Sequence, residues 1–387
     1  MNIKLSDKSL NEFKQFRRYL HENPELSFKE FNTTSLLKER LSKTNFEILD
    51  IDSEVGIIAH LFKDQSFKTV AIRADIDALP IQEMTDLEFK SKKDGLMHAC
   101  GHDIHTTILL GFCEEINKLY KNLKINLVVI FQPAEEIMGG AKLILKELKR
   151  NNIKLDEIIC YHTWPFIESG TIGYRSNEMM AGAMEFNVEI KASGGHAAHP
   201  HTTADPIFLS SNIINYFQGI VSRLNNPVKP LVITVGKISG GTKSNVISSN
   251  AEFSGTIRSF SKEMFDNVKE YMEQYISQLC KIYDADYEIE FGSFCPPVNN
   301  DRNTVSRFTK SNKHLNLIEL DDPSMGSEDF AFYLEKIPGA LFRIGTHDQE
   351  LSGSNLSLHN PGITFSEDSI ETGIIGLLNY ALSYEKN

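Results

Sequence analysis

Nine consecutive residues, Met97-His98-Ala99-Cys100-Gly101-His102-Asp103-Ile104-His105, hold a thiol, three imidazoles and a carboxylate directly ahead of an apolar, helix-periodic run from Thr106 to Leu119. A thiolate with a nearby imidazole suits a borderline-soft divalent ion such as zinc, manganese, cobalt or nickel. Gly101 between Cys100 and His102 removes the side chain that would crowd the turn, so both donors can face one ion. Such a pair is common in ordinary cores and loops. The remaining ligands must come from elsewhere in the chain.

Three apolar runs supply them. Thr69 to Arg73 reads as a strand and leads into Asp75 and Asp77; Ile125 to Phe131 reads as a strand buried on both faces and leads into Glu135 and Glu136; Glu157 to Tyr161 is a third strand, ending at His162. Helical patterns separate them, at Thr106 to about Tyr120 and Ala141 to Leu148. Earlier helices are expected over Phe13 to Leu20 and Lys29 to Leu41, on either side of the Asn23-Pro24 turn. Strands that alternate with helices indicate an α/β fold with a mostly parallel sheet, whose ligand site lies beyond the carboxyl ends of the strands. That is where Asp75, Asp77, Glu135, Glu136 and His162 fall, and it makes the Cys100–His102 pair part of a metal site.

From Met184 the order becomes strand, helix, strand, strand, helix, strand, ending at Phe291. This βαββαβ pattern is that of a ferredoxin-like module. It interrupts the first domain, because after Pro296-Pro297 the chain returns to helix and strand and offers a further imidazole, His359. The expected division is residues 1–182 with 292–387 for the metal-bearing domain and residues 183–291 for the insertion. At 387 residues, two domains are also what length alone predicts. The polar segment from Thr346 to Ser357 reads as a mobile loop.

Composition narrows the function. The net charge of −12, with no basic block, argues against nucleic acid, and no apolar run approaches a membrane span or the core of a signal peptide. Five scattered cysteines without a CxxC argue against a disulfide framework. A cytoplasmic protein acting on a small molecule is the expectation. Nucleophile-elbow, HExxH, Walker A and GxGxxG motifs are absent from the sequence.

Arg17 to Leu26, Arg73 to Pro80, Met97 to His105, Phe131 to Glu136, Gly194-Gly195-His196-Ala197-Ala198, Ser244 to Ile247, Gly255 to Arg258 and Ser327 to Phe330 together closely resemble the aminoacylase/carboxypeptidase family of zinc-type metallopeptidases, in its amidohydrolase branch. The resemblance implies the zinc-peptidase sheet, with the insertion as a lid and dimerisation domain, and hence a homodimer. It implies one or two divalent ions held by Cys100, His102, Glu136, His162 and His359, Glu135 as general base, and Asp77 orienting a ligand. It places His196 as a donor to the reaction oxyanion and Asn245 among the substrate-binding residues. Peptidase branches carry His-x-Asp where this chain has Asp75-x-Asp77, so one imidazole ligand of the usual two-metal centre is missing.

The expected reaction is hydrolysis of the amide bond of an N-acyl amino acid, N-acetyl or aromatic acyl, by metal-activated water. Arg258, whose planar fork suits a carboxylate, is expected to pair with the free α-carboxylate of the substrate. Deacetylation of N-acetyl-diaminopimelate is the alternative substrate reading. A non-catalytic metal-binding relative is the alternative of another class, and the base at Glu135 speaks against it.

Overall fold

Seven consecutive buried residues, Asn126–Gln132, form a central strand of the first unit. A strand covered on both faces needs helices above and below it, and a parallel arrangement supplies them. The computed structural model, which describes residues 3–384, shows this arrangement. In the first of two compact units (residues 1–179, 298–322 and 329–387), an eight-stranded sheet has the order Glu47–Ile48, Ile57–Leu61, Asn126–Gln132, Thr69–Asp75, Glu157–Glu168, Gly339–His347, Thr171–Tyr174, Asn316–Glu319. The four strands from Asn126–Gln132 to Gly339–His347 are mutually parallel.

The helix after the Cys-Gly-His motif runs over His102–Lys118, four residues earlier than its apolar periodicity indicates. His102, Asp103 and His105 are buried, so the polar start of this helix enters the protein rather than solvent. Its packing against Asp368–Leu382 is close: a Cβ at Gly111 would collide with Ile374, and one at Gly373 with Ile108. The first helix, Asp7–Glu22, packs on the same element.

The third parallel strand also differs from the sequence reading. It continues through His162 to Glu168, because Gly339–His347 pairs with it past Thr163 and Trp164. His162 is therefore an interior strand residue rather than a terminal one. Of the expected loop from Thr346 to Ser357, Thr346 and His347 end the strand Gly339–His347; the rest is a series of turns tied together by Ser354, whose Oγ accepts from the Asp348 N–H and donates to the Asp348 carbonyl.

The second unit comprises residues 180–297 and 323–328. Its four-stranded antiparallel sheet has the order Leu231–Gly240, Asn250–Ser259, Gly182–Lys191, Asp286–Phe291. Numbered along the chain this is 2-3-1-4, the order of a split βαβ module. Alternate residues Met184, Phe186, Val188 and Ile190 are buried with Leu209, Phe217, Phe265 and Met272 of helices Pro206–Gly219 and Lys262–Tyr283. Among the described residues, no helix is long and apolar enough to cross a membrane.

Candidate metal centre

Gly101 adopts φ 80° and sits as the N-cap of the helix that begins at His102. A side chain there would be both conformationally strained and in collision with Thr163. The Thr163 hydroxyl donates to the Cys100 carbonyl at 2.7 Å. This left-handed step turns the Cys100 sulfur and the His102 ring to one side.

Cys100, His102 and His162 offer one donor atom each within 4.8 Å of one another, as do Cys100, Glu136 and His359. The five residues named from sequence thus form two overlapping triples that share the Cys100 sulfur. His102 also groups with Glu135 and Glu136 on the same scale. Four of the five ligand candidates are largely buried, while the His359 side chain is half exposed. His359 has φ 67°, and its N–H donates to the Ala99 carbonyl at 3.0 Å. That bond fastens the C-terminal loop to the Cys-Gly-His motif.

The imidazoles are oriented by their outer nitrogens. His102 Nδ1 lies 2.9 Å from the Asp77 carbonyl and His162 Nδ1 lies 2.9 Å from the Thr163 carbonyl. Each Nδ1–H donates outward, which leaves both Nε2 lone pairs facing the sulfur and the carboxylates. Such outer bonds set the tautomer that a ligating histidine needs. The His102 Nε2 and Glu136 Oε1 atoms are buried without a hydrogen-bond partner, 3.7 Å from each other. Two unsatisfied acceptors so close together are costly unless a cation lies between them. The residues present fit a divalent metal.

Titration directions follow the same field. Burial opposes charge on His102, but Asp75, the Cys100 sulfur and Asp77 outweigh it and hold the imidazole well above its usual range. The neighbouring Cys100 sulfur and the Glu136 carboxylate, 3.5 Å from the His359 ring, push His359 up to about 10. His162 is held well below, first by burial and then by the neighbouring His105 and Arg343. An electron-rich pocket that draws protons at neutral pH is one that draws a cation when it is available.

Asp75 is close to this group but is already engaged. One oxygen lies 2.6 Å from His105 Nδ1 and the other accepts from Arg73 Nη1 at 2.6 Å. His105 Nε2 in turn accepts the Thr163 N–H at 2.7 Å, so the His105 proton is on Nδ1. The Asp75 oxygen bonded to Arg73 also lies 3.7 Å from His102 Nε2, and Asp75, His102 and His105 offer donor atoms within 4.8 Å of one another. The His105 ring orients the strand that carries His162.

Asp77 supports the acidic pair. Its two oxygens accept the backbone N–H groups of Glu135 and Glu136, each at 3.1 Å, and Ser27 Oγ donates to it at 2.7 Å. Glu135 is buried and accepts from the Asp329 N–H at 3.3 Å. Asp329 itself bonds Arg73 and the Gln132 amide. Arg73, Gln132 and Asp329 stood in the sequence only as members of longer motifs, with no role of their own; an Arg inside an apolar strand is the signal that could have drawn attention to them.

The other predicted residues lie in the second unit. His196 is exposed, and its Nδ1 accepts the Ala198 N–H at 3.1 Å, which puts the proton on Nε2, the tautomer of an oxyanion donor. Asn245 is its neighbour: Val246 pairs with His196, and the Ala197 N–H donates to the Asn245 carbonyl. Arg258, partly buried on the strand Asn250–Ser259, donates to Ser327 Oγ at 2.5 Å.

The sequence pattern of peptidase family M20/M25/M40 matches residues 71–383. The chain is 38% identical to an N-acetylcysteine deacetylase of Bacillus subtilis over 356 residues, 92% of each chain. It is 36% identical to an N-acetyldiaminopimelate deacetylase of Halalkalibacterium halodurans over 368 residues, 94% of this chain and 97% of that one. A crystal structure from Bacillus subtilis, described as a dinuclear metal-binding peptidase of the M20 family, superposes with a TM-score of 0.84 at 34% identity, covering 97% of this chain and 98% of that one.

Proposed function

The chain belongs to peptidase family M20/M25/M40, and from that membership we propose that it is a divalent-metal-dependent amidohydrolase that removes the acyl group from an N-acyl amino acid. The observation that carries this reading is the position of Glu135, a buried carboxylate grouped with the candidate ligands His102 and Glu136. A binding module has no use for a base there.

Cys100, His102, Glu136, His162 and His359 would hold one or two ions of the manganese, zinc, cobalt or nickel kind. Bound there, the metal supplies Lewis acidity, which makes water a nucleophile at neutral pH and polarises a carbonyl. Glu135 takes the proton from the attacking water and delivers it to the leaving amine, so that its carboxylate is regenerated. Asp77 keeps Glu135 and Glu136 divergent by holding their backbone N–H groups. His196 Nε2–H is assigned to the oxyanion, where a fixed donor acts mainly in the transition state. Arg258 is assigned to the substrate α-carboxylate and Asn245 to substrate binding. The second unit is assigned as a lid and as the homodimer contact. A cytoplasmic location belongs to the same reading, supported by five buried cysteines of which none is in a disulfide.

The 38% identity to an N-acetylcysteine deacetylase supports a small acyl group, and the relative named N-acetyldiaminopimelate deacetylase supports that substrate as the second reading. The test is a panel of N-acetylcysteine, N-acetyl-diaminopimelate, hippurate and other N-acyl amino acids, with free amine measured on metal-loaded protein. Stoichiometric amine release from at least one member is expected. A metal-saturated, folded protein that releases none would overturn the reading.

A further inference from the structure

The helix Phe31–Leu41 begins with a carboxylate that does not cap it. Glu30 is the N-cap residue, yet its side chain makes no bond to the helix. That task falls to Glu25, whose oxygens accept the N–H groups of Asn32 at 3.1 Å and Thr33 at 2.8 Å. Orphan N–H groups at a helix start need such an acceptor. With Glu25 in that role, Glu30 is directed elsewhere: fully buried, it accepts the Ala134 N–H at 2.9 Å.

Ala134 opens the turn that carries Glu135 and Glu136, and it has φ 54°. A left-handed alanine is unfavourable unless its surroundings fix it. Three successive N–H groups in this turn are bound by carboxylates, Ala134 by Glu30 and Glu135 and Glu136 by the two oxygens of Asp77. The Ala134 carbonyl receives the N–H groups of Gly139 and Gly140, each at 3.1 Å, and closes the loop from the other side.

We propose that Glu30 is a positioning residue for the general base: by holding the Ala134 N–H it keeps the turn left-handed and so sets where Glu135 and Glu136 point. This rests on the reading of Glu135 as base and Glu136 as metal ligand. Burial raises the Glu30 carboxyl to about 7 and so opposes charge at this site, and an amide oxygen accepts an N–H as a carboxylate oxygen does. An amide oxygen is therefore an adequate substitute.

The test compares Glu30→Ala, Glu30→Asp, Glu30→Gln and, as a helix-cap control, Glu25→Ala, reading kcat, KM, melting temperature and Mn²⁺ affinity by chelator competition. Misplacement of a catalytic group by about 1 Å costs up to roughly 100-fold. Glu30→Ala and Glu30→Asp, the latter too short to reach, are expected to lower kcat by about 10- to 100-fold with KM within about threefold, and to weaken Mn²⁺ binding by about tenfold. Glu30→Gln should stay within about threefold of the parent in both. Glu25→Ala should melt lower with kcat and Mn²⁺ affinity unchanged. The proposal is overturned if Glu30→Ala behaves like Glu25→Ala, and, should that variant not fold, if Glu30→Asp does; it is also overturned if Glu30→Gln is as impaired as Glu30→Asp. The Mn²⁺ measurement needs no turnover, so it judges the Glu30 contact even if no N-acyl amino acid proves to be a substrate.

Discussion

His105 Nδ1 and Asp75 Oδ1 are 2.6 Å apart in the buried interior, and the opposite ring nitrogen of His105 receives the Thr163 N–H. The imidazole thus bridges the end of one parallel strand to the middle of another, with His162 next to the bridge. Its tautomer is fixed by a backbone donor. In ¹⁵N spectra the neutral His105 ring should be the Nδ1–H tautomer. His105→Ala leaves a buried N–H and a carboxylate oxygen unsatisfied, at about 1–3 kcal/mol each, so denaturant unfolding should show a loss of about 2–5 kcal/mol. A loss below about 0.5 kcal/mol would mean that the bridge is replaced by water at no cost.

Removal of divalent ions should abolish activity and lower the melting temperature, since a ligand bound only by the folded state stabilises it by about 2.7 kcal/mol at 100 times its Kd. Add-back of manganese, zinc, cobalt or nickel should restore both. Cys100→Ser should first reduce metal content, because a serine hydroxyl is not ionised at neutral pH and is a poor ligand for a soft ion. Equal metal content in parent and variant would make Cys100 a packing residue.

Glu135→Gln should retain fold and metal and lose turnover by roughly 10²–10⁴-fold. His196→Ala should lower kcat more than it raises KM. If His196 acts across a homodimer, mixing these two inactive chains should regain activity as subunits exchange, because a mixed dimer contains one site with both residues. A verified mixed dimer as inactive as its parents would place the histidine in the site of its own subunit.

Arg258→Ala should abolish the preference for an N-acyl amino acid over its amide, which lacks the free carboxylate. Its present hydrogen bond to Ser327 Oγ involves one nitrogen of the guanidinium. Ser327→Ala should leave that preference in place, and kinetics on matched acid and amide pairs decide between the two residues.

Glu157 gives a pH signature remote from the metal centre. Burial raises its carboxyl above the ordinary range, while its oxygens accept from the hydroxyls of Tyr380 and Tyr384. A raised carboxyl is favourable to the fold while protonated, and that contribution is lost as pH rises from the unfolded value, about 4.3, through the folded one. Glu157→Gln stays neutral throughout. Its stability relative to the parent should therefore improve as pH rises above about 4.3; a pH-independent difference would show that burial does not raise this group.

The candidate donors were legible because their chemistry is carried by residue type: a thiol, imidazoles and a carboxylate at Cys100, His102, Glu136, His162 and His359 stand out whatever the backbone does. What the sequence concealed depends on conformation. The start of the helix at His102 rather than Thr106 was hidden because polar residues that face a buried site break the apolar period. The extension of the third strand beyond His162 depends on its pairing with Gly339–His347, a partner remote in the chain that no local pattern encodes. Asp77 was named as an acid that orients a ligand, but the carboxylate of Glu30 under the Ala134 turn was silent, since a glutamate in the first turn of a helix reads as an ordinary favourable charge.

The bond from His359 to Ala99 and the pair Arg73–Asp329, whose members are 256 residues apart, give the centre a place in time. Contacts that close such long stretches of chain form late, because their loop entropy must be met before they yield any gain. During synthesis, the Cys-Gly-His motif emerges well before the segment that bears Asp329 and His359. A nascent chain would hold at most a partial donor set until the segment bearing His359 leaves the ribosome, so ion capture becomes a late event of folding rather than its nucleus.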